Sequence, residues 1–187
     1  VETVDGLYRG FFEGVAGAAT ALVFTGLEWG DAEAKALACV LPRFASLHCL
    51  DLSKNKLGVE GALSLAGYLR ASASLTALIL SRNNLTNLGE AISGVRAIAE
   101  ALKANASLTF ADLSQNALGP AGVKALVDGG AFRASLTVAD LRYNSLDIES
   151  ATLLATTAKA KGISLCGIKP EQTEADFRPS ITGKCMK

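Results

Sequence analysis

The sequence predicts an α/β solenoid, with parallel strands on a concave face and helices on a convex one. Three observations predict it. The pattern L-x-x-(L/A)-x-L-x-x-N-x-L opens at Leu47, Leu75, Leu108 and Leu136. Asn55, Asn83, Asn116 and Asn144 fall at the same place in each copy. Every copy is followed by an alanine-rich stretch whose apolar residues recur at helical spacing. Self-similarity of this kind marks stacked units, each burying its apolar side against the next.

The strand half comes first. Leu50 and Leu52 lie two apart, so they point to one face of a short strand. Asn55 sits where the chain leaves that strand. Its amide is both donor and acceptor, so it can satisfy backbone groups that the bend would leave unpaired, at about 1–3 kcal/mol each. In the helical half, Gly61, Ala62, Leu65, Ala66 and Leu69 trace one buried face. Val95, Ile98, Ala99 and Leu102 repeat that face, as do Val123, Leu126 and Val127, then Ala151, Leu154, Ala155 and Ala158. Parallel strands joined by helices imply right-handed crossovers.

The period is 28 residues from Leu47 to Leu75 and again from Leu108 to Leu136. With a full helix in every unit, it resembles the ribonuclease-inhibitor class of leucine-rich repeats over residues 19–168. The resemblance implies a right-handed βα horseshoe segment.

Three parts are expected: a cap over residues 1–18, a leucine-rich repeat domain over 19–170, and a tail over 171–187. Moving the repeat back by 28 puts Leu22, Phe24 and Trp29 where Leu50, Leu52 and Leu57 sit, with Leu27 in place of the asparagine. The uncharged run between Glu13 and Glu28 is 14 residues, too short to span a membrane. The first residue is valine rather than methionine, so the expectation is a chain either cropped at its end or processed by removal of a targeting peptide. The expected location is intracellular, cytoplasmic or organellar.

The unit from Leu75 carries five extra residues between Leu85 and Gly94, on the rim where the strand layer turns toward the helices. Asp128, Gly129 and Gly130 should end their helix early and leave a loose loop out to Arg133. Ile163, Cys166 and Ile168 keep the strand phase, but Glu171 replaces the asparagine and Pro170 argues against continuation, so an edge strand is expected there.

Composition narrows function. The chain has 187 residues, is half hydrophobic and has zero formal net charge, enough for one sizeable core. It has no basic run and no aromatic–basic interleaving, so nucleic acid is not an expected partner. It has no P-loop, no G-x-G-x-x-G and no G-x-S-x-G, so no cofactor and no enzymatic activity are expected. His48 is the single histidine and no C-x-x-C occurs, which argues against zinc. Cys39, Cys49, Cys166 and Cys185 read as free thiols of a reducing compartment, Cys49 on the exposed side of a strand.

The partner is expected to be a protein, gripped by the concave face or by rim loops. Residues between the buried ones form columns across that face. One is apolar: Ala21, Cys49, Ala77, Phe110, Val138, Leu165. The next contains Asp51, Ile79, Asp112 and Asp140, an acidic strip suited to a basic or hydroxyl-bearing partner. Arg82, Arg142 and Tyr143 are the expected anchors, since interface energy concentrates in arginine and aromatic residues. The expected partner-binding set is therefore Asp51, Ile79, Arg82, Phe110, Asp112, Asp140, Arg142 and Tyr143. Ribonuclease-inhibitor-like repeats also occur in proteins that assist Ran-type GTPases with an arginine. Arg82, near the long loop, is the one position here that could answer to it, and the non-enzymatic reading is preferred. A structural subunit of a larger assembly, held through its termini, is the alternative.

Overall fold

The protein is described by a computed structural model over residues 14–132 and 135–165. Five three-residue strands form one parallel sheet in chain order: β1 (Ala21–Val23), β2 (Cys49–Asp51), β3 (Ala77–Ile79), β4 (Phe110–Asp112) and β5 (Val138–Asp140). Each strand is followed by a helix, in order α1 (Asp31–Val40), α2 (Val59–Ala71), α3 (Ser93–Ala104), α4 (Gly119–Gly129) and α5 (Ile148–Lys161). The open sheet and its single helix layer form an α/β leucine-rich repeat solenoid. Ala21, Cys49, Ala77, Phe110 and Val138 pair in one line across the sheet, as the repeat phase predicts.

The asparagine ladder explains this regularity. The Asn116 amide donates to the carbonyls of Leu113 (3.1 Å) in its own unit and Leu80 (2.9 Å) in the unit before. Its carbonyl accepts from Asn83 N–H (3.2 Å). Asn55, Asn83 and Asn144 bridge adjacent units in the same way. The leucines either side are fully enclosed: Leu47, Leu50, Leu52 and Leu57, then Leu75, Leu78, Leu80 and Leu85. In the first unit Leu27 has no side-chain amide, but its backbone N–H still donates to Asn55 Oδ1 at 3.0 Å, as Asn83 N–H does to Asn116. Phe24 and Trp29 complete that unit by stacking, with ring centroids 4.7 Å apart.

Helices approach closely through small residues. A Cβ on Gly94 would lie 2.9 Å from Ala62 Cβ, and one on Gly129 would lie 2.7 Å from Ala99 Cβ. Caps also cross between units: Asp31 Oδ1 accepts from Gly58 N–H (2.7 Å) and Gly61 N–H (2.9 Å), holding the start of α2.

Three expectations are corrected. The stretch after α4 does not begin as a loose loop. Gly130 takes a left-handed cap, and Ala131 and Phe132 then turn back into the core at 1% and 4% exposure. Arg133 lies outside the described residues. Next, Val138 pairs with Ser164, not Leu165, because Gly162 ends α5 and sends the chain back a residue early. A one-residue slip exchanges faces, and Leu165 packs against the core. Third, Ala151 and Ala155 are exposed although Leu154 and Ala158 are buried, since no described helix covers that side of α5. Cys166, Ile168, Pro170 and the 171–187 tail lie outside the described residues, as do residues 1–13 of the expected cap. No helix among the described residues is long and apolar enough to cross a membrane.

Candidate functional site

Each unit turns from strand to bend through a left-handed residue. Gly26 holds this place first, then Lys54 (φ 56°), Arg82 (φ 57°), Gln115 (φ 56°) and Tyr143 (φ 59°). The N–H groups of Lys54, Arg82 and Gln115 each donate to a carbonyl just past the strand of the next unit, at Ser81, Ser114 and Arg142. An L-residue in this conformation costs about 1–2 kcal/mol, so the site tolerates a large side chain at a cost. These side chains line the margin of the sheet. Tyr143 is 65% exposed, whereas Arg82 and Gln115 are half-buried.

The acidic strip is folded into the molecule. Asp51, Asp112 and Asp140 are buried, and Ile79 with them. Asp51 Oδ1 accepts from Ser53 N–H at 2.8 Å. Asp112 Oδ1 accepts from both Ser114 N–H (3.1 Å) and Ser114 Oγ (2.7 Å). Asp140 grips the Arg142 guanidinium in two places, Nε to Oδ1 at 3.0 Å and Nη2 to Oδ2 at 2.6 Å. These bonds hold the guanidinium above its ordinary pKa. Phe110 is half-buried. Of the eight residues expected to bind a partner, Tyr143 alone is fully presented to solvent. Asp112, Asp140 and Arg142 share one part of the face, and Asp51 and Ile79 lie on the strands beside it.

Cys49 is also buried, at 6% exposure, and is disulfide-bonded. This corrects the expectation of free thiols: the repeat register places Cys49 but says nothing of what faces it. Cys39 is free and exposed on α1.

The rim between strands and helices is different. Four large apolar side chains stand out there: Leu27 at 49% exposure, Leu88 at 78%, Tyr143 at 65% and Ile148 at 88%. Leu88 tops the five-residue insertion. Asn87, Leu88 and Gly89 are consecutive left-handed residues, with φ of 48°, 57° and 92°. The turn is braced from below. Asn84 Oδ1 accepts from Leu88 N–H (2.8 Å), and Thr86 Oγ1 accepts from Gly89 N–H (2.9 Å). The buried Thr86 hydroxyl donates to the Ala117 carbonyl of the next unit at 3.0 Å. Sequence reasoning located this insertion, because repeat length is legible, but missed Leu88, because the left-handed fold of the loop is not. It also missed Asn105, which ties the opposite edge by donating to the carbonyls of Leu69 (2.6 Å) and Ser72 (2.8 Å).

A family model described as leucine-rich repeat matches residues 45–66, 71–89 and 104–127. No curated protein matches the sequence. Among solved structures, the chain is similar to actin-binding site 2 of leiomodin-1, at 16% identity and a TM-score of 0.62, covering 87% of this chain and 89% of that one. It is also similar to the tropomodulin C-terminal domain of Caenorhabditis elegans, at 11% identity and a TM-score of 0.63, covering 85% and 93%. At these identities the likeness is one of fold.

Proposed function

Because the chain is a leucine-rich repeat protein, we propose that it is a non-enzymatic binding module that engages a partner protein through its strand-to-helix rim. One observation carries this reading. Leu88 is held out of the molecule, 78% exposed, by a turn whose backbone is left-handed at three successive residues. A large apolar side chain fixed in water is unfavourable unless something covers it, and strained, well-braced turns concentrate at functional positions. Leu27, Tyr143 and Ile148 extend the same rim. The braced loop loses little freedom on binding, which raises affinity at a given contact area.

Crosslinking of the native complex from its source tests the reading. Lys54 and Lys56 stand at the rim, while Lys35, Lys103 and Lys124 lie on the helix layer. The expected crosslinks to the partner run from Lys54 and Lys56. Crosslinks confined to Lys35, Lys103 and Lys124 reject the rim. Crosslinks confined to Lys159 and Lys161, on α5, favour instead a subunit docked through the uncovered stack end where Ala151 and Ala155 are exposed. Purified actin is one defined partner to assay alongside, since a leiomodin domain of this fold carries an actin-binding site.

A further inference from the structure

We infer that the loops leading from helix to strand in the first two units, on the edge opposite the rim, form a binding site for a neutral small molecule that carries a hydrogen-bond acceptor on an apolar body. The site goes beyond the partner-binding reading and does not depend on it. Its origin is a mismatch between two helix ends. Helices α1 and α2 start in register, at Asp31 and Val59, but α1 has 10 residues and α2 has 13. A 3₁₀ turn, Leu41–Arg43, takes the place that Leu69–Ala71 hold in α2. Pro42 lies within that turn, and it has no N–H with which to continue an α-helix. A 3₁₀ turn rises about 2.0 Å per residue against about 1.5 Å in an α-helix, and it is narrower. The last turn of α2 is therefore not matched by a helical turn beside it. A cavity of about 470 Å³ opens there between the two loops. That volume falls within the range of small-molecule sites, roughly 300–1,000 Å³.

The walls are largely apolar and the polar groups few. Leu41, Phe44 and Tyr68 line the cavity as buried residues, with Ala71, Ser72 and Ser74 beside them. No charged side chain is among its lining residues. A charged ligand would lose hydration there without gaining a counter-charge, so the site selects a neutral one. Tyr68 supplies the directional contact. The next two units have Ala101 and Gly129 at its position, so the phenol is particular to this one. Tyr68 is 7% exposed, and Ser72 Oγ donates to its hydroxyl oxygen at 3.4 Å. The Tyr68 O–H itself has no acceptor among the described residues. Burial pushes its pKa up, against a smaller lowering by the Ser72 bond, so the phenol keeps its proton at neutral pH. A buried donor without an acceptor is unfavourable, and a carbonyl or ether oxygen on a bound molecule supplies one.

Prodan, a neutral naphthalene bearing a ketone, is the probe, titrated against the full chain by fluorescence. The expected result is saturable binding with blue-shifted emission. Tyr68→Phe removes the donor and keeps the ring, and should weaken binding about 2–10-fold. Ala71→Phe, at an exposed position that ends α2, fills the space and should abolish binding. 2-Naphthoate, an anion with the same rings, should bind far more weakly than Prodan. Leu88→Asn should bind Prodan as the wild type does, which separates this site from the rim. A thermal melt of each variant beside the wild type shows that the fold is kept. Absence of saturation in the wild type rejects the site. Unchanged affinity in Tyr68→Phe overturns the hydrogen bond to the ligand, and unchanged affinity in Ala71→Phe overturns the cavity. Naphthoate binding as tight as Prodan overturns the selection of a neutral ligand, and loss of binding in Leu88→Asn places the probe at the rim instead.

Discussion

The Asn116 side chain makes four hydrogen bonds that no apolar side chain can replace. It is fully buried, so water cannot take over. Asn116→Leu should therefore lower stability by about 1–3 kcal/mol for each group left unpaired, read as a lower urea midpoint. An unchanged midpoint would show that the ladder is ornamental. Asp147 offers a pH readout. Its carboxylate caps α5 and sits below its ordinary value of 3.8, first through the bond from the Ser150 hydroxyl and then through Ser150 N–H at 2.8 Å. A depressed carboxylate stabilises the fold above its unfolded pKa, and the contribution disappears as pH falls through the lower folded value. Acid titration should loosen the start of α5 over that window, and Asp147→Asn should blunt the effect in amide exchange. At this scale the sequence was most informative where a residue has one possible duty. The ladder asparagines could be read off because only an amide fits between leucines at a bend. The acids of the sheet could not, because their bonds to Ser53, Ser114 and Arg142 are set by the bend beyond each strand, which the apolar repeat pattern does not state.

The insertion is the element with most to reveal. Its turn sets Leu88 in a conformation that asparagine tolerates far better. Leu88→Asn should leave stability unchanged or raise it by up to about 1 kcal/mol, while weakening partner binding at the rim. Lower stability with unaltered affinity would make Leu88 a structural residue. The α3–α4 contact gives a second prediction. Gly129→Ala ought to stabilise a helix by about 1 kcal/mol on propensity alone. Here the new Cβ would meet Ala99 Cβ at 2.7 Å, and overpacking of that kind costs about 1–3 kcal/mol. The variant should melt lower, and Ala99→Gly in the same background should recover part of the loss. Five extra residues were visible as a break in the repeat length, and two glycines were visible as a helix end. The rigid left-handed turn and the return of Phe132 to the core were not, since both follow from contacts with the neighbouring unit.

Across the whole molecule, each helix packs on the ones before and after it, and α5 lacks a described neighbour on one side. Stability in such a stack is nearly a sum of units and their interfaces. Amide exchange should accordingly be slowest in α2 and α3 and quickest in α5. Uniform protection through α5 would mean that its outer side is covered after all. The solenoid, its strand register and its layer order were legible because the repeat states them four times over. The functional surface was less so, because a rim is built from the departures between units, and those are set one at a time. The glycine contacts between helices also govern curvature. Strands stack at about 4.8 Å, whereas helix axes ordinarily sit about 8–10 Å apart, and that mismatch bends the stack into an arc. Gly94 against Ala62, and Gly129 against Ala99, let two pairs of helices close up. The arc is thereby opened, so the radius that the molecule offers a partner is set by atoms on the side facing away from it.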